Sequence, residues 1–207
     1  MAWFSRFTRF GDMHWVFGQE SAISCGVACA IMAAYKINKL RPGTRSSFTE
    51  KEILQKATTL FGPNPLGGGG LGNNQMVMLL NHPDLHMGGW QYSRYPQNDI
   101  PAKILQKVGT CGGFGPVINV KPIIAGIDWT GGGGHWVVID TVREFNGQKY
   151  ATICDPWDAN VHVVPLNLNT TFNYTGQRTC GVDFGGTHFK YKSPSNGGIF
   201  LGDVLTR

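Results

Sequence analysis

No stretch of this sequence is apolar for long enough to span a bilayer. The segment from Met1 to Phe17 sets Arg6 and Arg9 among aromatic residues but has no apolar h-region, so it does not read as a secretory signal and a cytoplasmic chain is expected. Without such a signal, the glycosylation sequons at Asn169 and Asn173 carry no meaning. A disulfide framework is also missing: the five cysteines are irregularly spaced and odd in number. Free thiols suit a reducing compartment. Charged residues are few, at 15%, and the formal charge of +5 comes from scattered lysines and arginines. Dispersed charge excludes a nucleic-acid patch and leaves a solvated basic surface, with an acidic substrate or partner as the alternative. His82 and His86 have a spacing that chelates zinc on a helix, but Pro83 stands between them and no third ligand follows. No metal and no cofactor are expected.

What remains is 207 residues with 29 glycines, enough for one domain with a sizeable core and many loops. The pattern divides 1–207 into an N-terminal arm over 1–18, a mainly helical half over 19–110 and a mainly β half over 111–207. The aromatic arm reads as packed on the domain, against the alternative of a docking segment left from a larger protein. A helix is predicted from Cys25 to near Asn38, before Pro42, with Ala28, Ile31, Met32 and Tyr35 on one face. A second helix begins at Thr49, where Thr49 and Glu52 form a capping-box pattern and Ile53, Leu54 and Ala57 face inward. The run Gly62 to Gly72 permits no regular element, and it is either a connector or a cleft wall where a substrate backbone approaches closely. Asn73 or Asn74 caps a third helix with Met76, Leu79 and Leu80 inside, and Asp99 to Val108 forms a fourth with Pro101 in its first turn. Strands follow at Pro122–Asp128, after His135, at Tyr150–Cys154 and at Val161–Val164, and the Gly- and Asn-rich tail from Thr170 extends the sheet. Helices first and an antiparallel sheet after is an α+β layout.

The chemistry gathers at three places. Ser24 is a good N-cap residue, so Cys25 sits in the first helical turn, where unpaired N–H groups and the helix dipole favour a thiolate. Cys29 follows one turn later and packs beneath it. His135 comes after the glycines 131–134 and opens Trp136-Val137-Val138-Ile139, a buried strand whose mouth projects a polar side chain into a cleft. Asn146-Gly147 is a strong hairpin signal, and the returning strand brings Asp155 back towards His135. A thiol, an imidazole and a carboxylate in this arrangement supply nucleophile, base and orienting group. Asp158 is a rival to Asp155, since both flank Pro156-Trp157. Trp136 and Trp157 are core aromatics or a shield over the His–Asp pair.

The pattern Gln-x5-Cys-Gly-x-Ala-Cys over residues 19–29, then Gly134-His135-Trp136-Val137-Val138-Ile139, then Asp155-Pro156, resembles the papain-like cysteine peptidases. Within that group it is most similar to the C39 peptidases, which remove leader peptides after a Gly-Gly pair. The resemblance covers residues 19–35, 121–140 and 150–156. It implies a papain-like fold, with the cleft between a helical half carrying the nucleophile and an antiparallel sheet. It implies Cys25 as nucleophile, His135 as general base and acid, and Asp155 as its orienting carboxylate. It further implies Gln19 as an oxyanion donor beside the Cys25 N–H, and a substrate cleft bounded by Gly68, Gly69, Gly134 and Trp136. The expected activity is that of a cysteine endopeptidase working through a thioester, on a protein or peptide, after a Gly-Gly pair. With no exporter segment and about fifty residues after Asp155, the expected setting is a free-standing bacterial effector or toxin, delivered by a specialised secretion system and restrained by a cognate immunity protein. The competing readings are a cell-wall amidase of the NlpC/P60 type and a silent peptide-binding module. The amidases carry Asp-Cys-Ser-Gly at the nucleophile, whereas this chain has Ser24-Cys25-Gly26 and the upstream Gln19.

Overall fold

The computed structural model describes residues 3–109, 115–117, 120–130, 132–175 and 195–207. Two strands come first, β1 (Trp3–Phe7) and β2 (Asp12–Phe17), then the helices α1 (Cys25–Asn38), α2 (Glu50–Phe61) and α3 (Asn73–Leu80). Strand β3 (Gln91–Arg94) and helix α4 (Ile100–Lys107) follow, then β4 (Gly115–Pro116), β5 (Ile123–Trp129), β6 (Gly134–Phe145), β7 (Gln148–Asp155), β8 (Asn160–Pro165), β9 (Asn173–Thr175) and β10 (Gly197–Thr206). The main sheet runs β3-β10-β5-β6-β7-β8, with β9 paired to β10, and all its pairings are antiparallel. This is an α+β arrangement, but the order is not helices first and sheet after. A hairpin precedes the helices, and β3 from the helical half pairs with the last strand. The tail does extend the sheet: β10 is an interior strand, between the edge strand β3 and β5. The rest of the expected tail, residues 176–194, lies outside the described residues, as does Gly131 of the glycine run.

Local chemistry explains most boundaries. At α2 the Thr49 hydroxyl accepts from the Glu52 N–H, and the Glu52 carboxylate accepts from the Thr49 N–H, so two end donors are satisfied. The cap of α3 is Gly72 rather than Asn73 or Asn74. Its N–H donates to the Gln75 side chain, which does the capping from inside the first turn. Ser24 is the N-cap position of α1, yet its hydroxyl turns back to Ser21 instead of capping the helix. Asn146 and Gly147 both take positive φ, joining β6 to β7 by a two-residue turn.

The apolar residues of alternate strand positions feed two cores. Ile124, Trp136, Val138, Cys154 and Leu205 pack with α1, α2 and α3 on one side. Ala125, Ile127, Val137, Ile139 and Ile153 pack with Ile100 and Ile104 of α4 on the other. Helix α1 is not the one-faced amphipathic helix that its spacing predicts. Thirteen of its fourteen residues are buried, Tyr35 alone being half-buried. Helices α2 and α3, the sheet and the N-terminal hairpin enclose it, and its run of alanines lets them approach closely. The hairpin of β1 and β2 is therefore packed as a layer beside α1. β1 and β2 pair along their lengths, and Trp3 meets Phe17 and Tyr35 edge-on or tilted.

One ionic contact runs through this centre. Lys36 of α1 places Nζ 2.5 Å from Asp140 Oδ2 of β6, with both side chains fully buried. His14 of β2 lies 2.9 Å from the same oxygen, and the Cys154 thiol is 3.5 Å away. Burial alone would make the Lys36 ammonium easier to deprotonate, but Asp140 outweighs it and holds the proton on more tightly. Burial likewise opposes the Asp140 charge, and His14 and Lys36 overcome it. Removing one member strands a buried charge, so Lys36→Met is expected to lower unfolding stability by roughly 3–5 kcal/mol, with part recovered in Lys36→Met/Asp140→Leu. Chemical denaturation measures both. A loss in the single variant below about 1 kcal/mol, the scale of an exposed pair, would remove this contact as a determinant of the fold.

Candidate active site

The turn between β5 and β6 sets the position of His135. Gly132 and Gly133 both have positive φ, and the Trp129 N–H donates to the Gly133 carbonyl at 2.9 Å. The glycine run thus makes a tight reversal that leaves His135 at the mouth of β6. On the neighbouring strand, Val138 pairs with Cys154, so Asp155 falls one step further on and diagonal to His135. The two side chains meet: His135 Nε2 is 2.7 Å from Asp155 Oδ1. The Trp157 N–H donates to the same carboxylate oxygen at 2.8 Å, and the Tyr174 hydroxyl donates to Oδ2 at 2.7 Å. All lone-pair directions that matter for orientation are taken. Asp155 has a fixed plane and presents one oxygen to the imidazole.

Cys25 opens α1, at 7% exposure, and lines the same cleft as His135, close enough to raise the proton affinity of that imidazole. With Nε2 held by Asp155, Nδ1 is the nitrogen left for sulfur. Burial works against the His135 imidazolium, but the Asp155 charge, its hydrogen bond and the Cys25 contact raise the pKa to about 10. Burial opposes the Asp155 carboxylate too, and His135 holds it well below the usual carboxylate range. The neighbours of His135 thus favour the protonated imidazole over the neutral one, against the effect of burial. Cys29 lies one turn below Cys25 and is fully buried, and burial first, then the Cys25 charge, pushes its thiol well up. It is a packing residue, chemically quiet.

The aromatic surroundings come partly from residues that sequence patterns did not single out. Trp129 stacks on the His135 ring at 4.6 Å between centroids and 18° between planes. Trp157 meets Trp129 edge-on at 4.5 Å. The shield over the imidazole is thus Trp129 backed by Trp157. Trp136 is on the other side of the strand. It is a core residue, its Nε1 donates to the Leu71 carbonyl, and it also lines the cleft. An aromatic directly before a glycine turn that ends in histidine is a usable signal for Trp129. Tyr174 had none, since it stands in a stretch without clear periodicity.

The cleft beside Cys25 and His135 has a volume of about 180 Å³ and is lined further by Gly69, Leu71, Asn73, Gly126, Ile127, Gly134, Trp136, Leu201 and Asp203. Of the residues expected to bound a substrate cleft, Gly69, Gly134 and Trp136 line this one and Gly68 does not. Gly69 and Gly70 close a turn onto the Leu66 carbonyl, and Gly68 is exposed with nothing within 4 Å of where a β-carbon would stand. Gln19 is fully buried outside the cleft lining. Its N–H donates to the Pro156 carbonyl, and its Nε2 donates to the Ser21 carbonyl at 2.7 Å, leaving one amide N–H uncommitted. Asp158, the rival carboxylate, faces His162 at 3.1 Å and accepts from the Ser195 N–H instead. Two groups among the described residues have metal-like composition, His14/Asp140/Cys154 and Asp155/Asp158/His162. The first already holds the Lys36 ammonium, and in the second Asp155 is committed to His135 and Tyr174.

No protein-family model matches the sequence, and no curated protein matches it. Among solved structures, the chain is similar to the crystal structure of a double glycine motif protease from an AMS/PCAT transporter in complex with its leader peptide. Identity is 18%, the TM-score is 0.41, and the alignment covers 98% of this chain and 96% of that one. Among the described residues no helix is long and apolar enough to cross a membrane.

The raised His135 pKa makes a prediction about stability. The folded value lies above the ordinary 6.5, so the contribution is complete below pH 6.5, declines as pH rises and is lost through about 10. Unfolding free energy measured across that window should fall more steeply for this protein than for His135→Gln. Parallel profiles for the two would show that His135 is not held as a cation.

Proposed function

We propose that this chain is a cysteine peptidase of papain-like type, a single domain in which Cys25, His135 and Asp155 carry the reaction. The observation that carries the reading is that Cys25 and His135 line one cleft and His135 is held by a carboxylate that Tyr174 and Trp157 fix. His135, whose affinity for a proton is raised, takes up the Cys25 proton as the sulfur is engaged. The thiolate attacks a peptide carbonyl and forms the C–S bond. The oxyanion is held by the Cys25 backbone N–H, one of the free donors at the start of α1, and by Gln19 once its amide turns from the Ser21 carbonyl towards the cleft. His135 passes its proton to the leaving amine as the C–N bond breaks, which leaves a thioester. It then takes a proton from water, the resulting hydroxide attacks the thioester, and the acid and the thiolate are released. Trp129 keeps water from the far side of the imidazole, so Asp155 acts on it through a dry contact.

A narrow cleft bordered by Gly69, Gly126 and Gly134 suits small residues at the scissile bond. That supports cleavage after a Gly-Gly pair, as the motif resemblance implies. The reading of a silent binding module would require a blocked thiol, whereas Cys25 borders an open cleft.

Purified protein and its Cys25→Ala variant incubated with bacterial lysate should differ in the new N-termini they produce, with none from the variant and a small residue before each cut from the intact protein. Equal lists from both would end the peptidase reading, and release of fragments from peptidoglycan with no protein cleavage would replace it by the amidase. On a cleaved substrate, Tyr174→Phe should reduce kcat about tenfold with KM nearly unchanged, the scale of one hydrogen bond to a charged group. Unchanged kcat would leave Tyr174 a packing residue only.

A further inference from the structure

The last strand is irregular where it passes the cleft. Phe200 pairs with Ile127 and Val204 with Ala125, so Leu201, Gly202 and Asp203 together stand against Gly126. Gly202 has φ +99, and a β-carbon there would stand 2.0 Å from the Tyr95 carbonyl oxygen. The Tyr95 N–H donates to the Gly202 carbonyl at 2.9 Å. The bulge is therefore anchored by a residue that must be glycine, and it bends β10 where Leu201 and Asp203, two residues apart and so on one face of the strand, line the cleft that holds Cys25 and His135.

Asp203 is half-buried, and its carboxylate is set in place. The Tyr92 hydroxyl donates to Oδ1 at 2.6 Å, while Oδ2 has no hydrogen-bond partner among the described residues. That bond, with the burial and charge around it, raises the Tyr92 pKa and keeps the hydroxyl protonated as the donor. Arg94 stands opposite Asp203 across β3 and β10 but is exposed, and no ion pair joins the two. Across the floor, Gly126 holds open the space between Asp203 and Trp136. A β-carbon on it would lie 3.2 Å from the Asp203 Cβ and 3.5 Å from the Trp136 ring. The result is a carboxylate oxygen and an indole ring on either side of a gap, with Leu201 and Leu71 as aliphatic walls.

We propose that this gap is a subsite for a cationic group of the substrate, with Asp203 as the residue that selects it. The proposal rests on the peptidase reading of the cleft and deepens it by naming a substrate class. An ammonium or guanidinium fits on each count: the carboxylate supplies a charge-assisted hydrogen bond, the indole ring a cation–π contact, and the leucines cover a methylene stem. A carboxylate-bearing substrate meets repulsion there, and a neutral one leaves the Asp203 charge partly desolvated without a partner. The cation is either a Lys or Arg side chain within a residue or two of the scissile bond, or the free α-amine of a short peptide.

The test separates the subsite from catalysis by reading binding alone. Fluorescent peptides containing a Gly-Gly pair flanked at each position by arginine, or by the uncharged isostere citrulline, are titrated into Cys25→Ala protein, with acetylated and free N-termini as separate sets. Arginine at one position should strengthen binding about tenfold over citrulline, the scale of one hydrogen bond to a charged group. The discrimination should vanish in Cys25→Ala/Asp203→Asn, whose amide oxygen still accepts from Tyr92 and whose melting should be unchanged. Discrimination seen only between free and acetylated N-termini, and lost with Asp203→Asn, assigns the subsite to an α-amine. Equal binding of arginine and citrulline peptides at every position in both sets, or a preference that survives Asp203→Asn, overturns the proposal. Parallel digestion by the intact protein keeps the two readings apart. Cleavage without charge preference removes the subsite and leaves the peptidase, whereas charge-selective binding without cleavage removes the peptidase and leaves the subsite.

Discussion

The Lys36–Asp140 contact sets the alignment on which the candidate site depends. Cys25 lies eleven residues before Lys36, about 16 Å along a helix. His135 lies five residues before Asp140, about 17 Å along a strand. Helix α1 and strand β6 run the same way, so fixing one end of the pair in register brings their other ends level. A non-directional apolar interface between α1 and β6 would tolerate sliding, particularly with so many alanines on the helix. A buried ammonium with one carboxylate to meet does not. The charge is thus placed where it specifies geometry, and the thiol and imidazole at the far end inherit that specification.

Around the reacting groups the protein uses burial in two senses. It withdraws His135 and Asp155 from water, which by itself disfavours both charges, and then supplies each with partners strong enough to reverse the effect. Tyr174 and the Trp157 N–H saturate the carboxylate, and Trp129 covers the ring. The same withdrawal silences Cys29 and Cys154, the latter also because the Asp140 charge beside it outweighs Lys36. Three thiols in one core thus differ in chemical character through their neighbours alone.

Much of this was legible in the chain. Cys25, His135 and Asp155 are marked by short patterns whose physics is local: a helix start, a strand mouth after glycines, and a hairpin return through Asn146-Gly147. Thr49 and Glu52 announced α2 for the same reason. What was hidden depends on contacts between distant segments. Lys36 reads as a surface residue until Asp140 is brought to it. The periodicity of α1 marks one apolar face, but the N-terminal hairpin and three other layers enclose the rest. Tyr174 and Asp203 belong to the tail, where glycine and asparagine blur any period, and their roles come from the strands they pair with. Gly68 misled because a glycine run does not say which of its members turns towards the cleft.

The position of β10 inside the sheet, between β3 and β5, has a consequence for how the molecule comes to life. β3 and β10 are neighbours, yet Tyr92 and Asp203 are 111 residues apart in the chain, and closing so long a loop delays their pairing. During synthesis Cys25, His135 and Asp155 all emerge before the strand that carries Leu201 and Asp203. Until that strand inserts between β3 and β5, the sheet is open along two edges and one wall of the cleft does not exist.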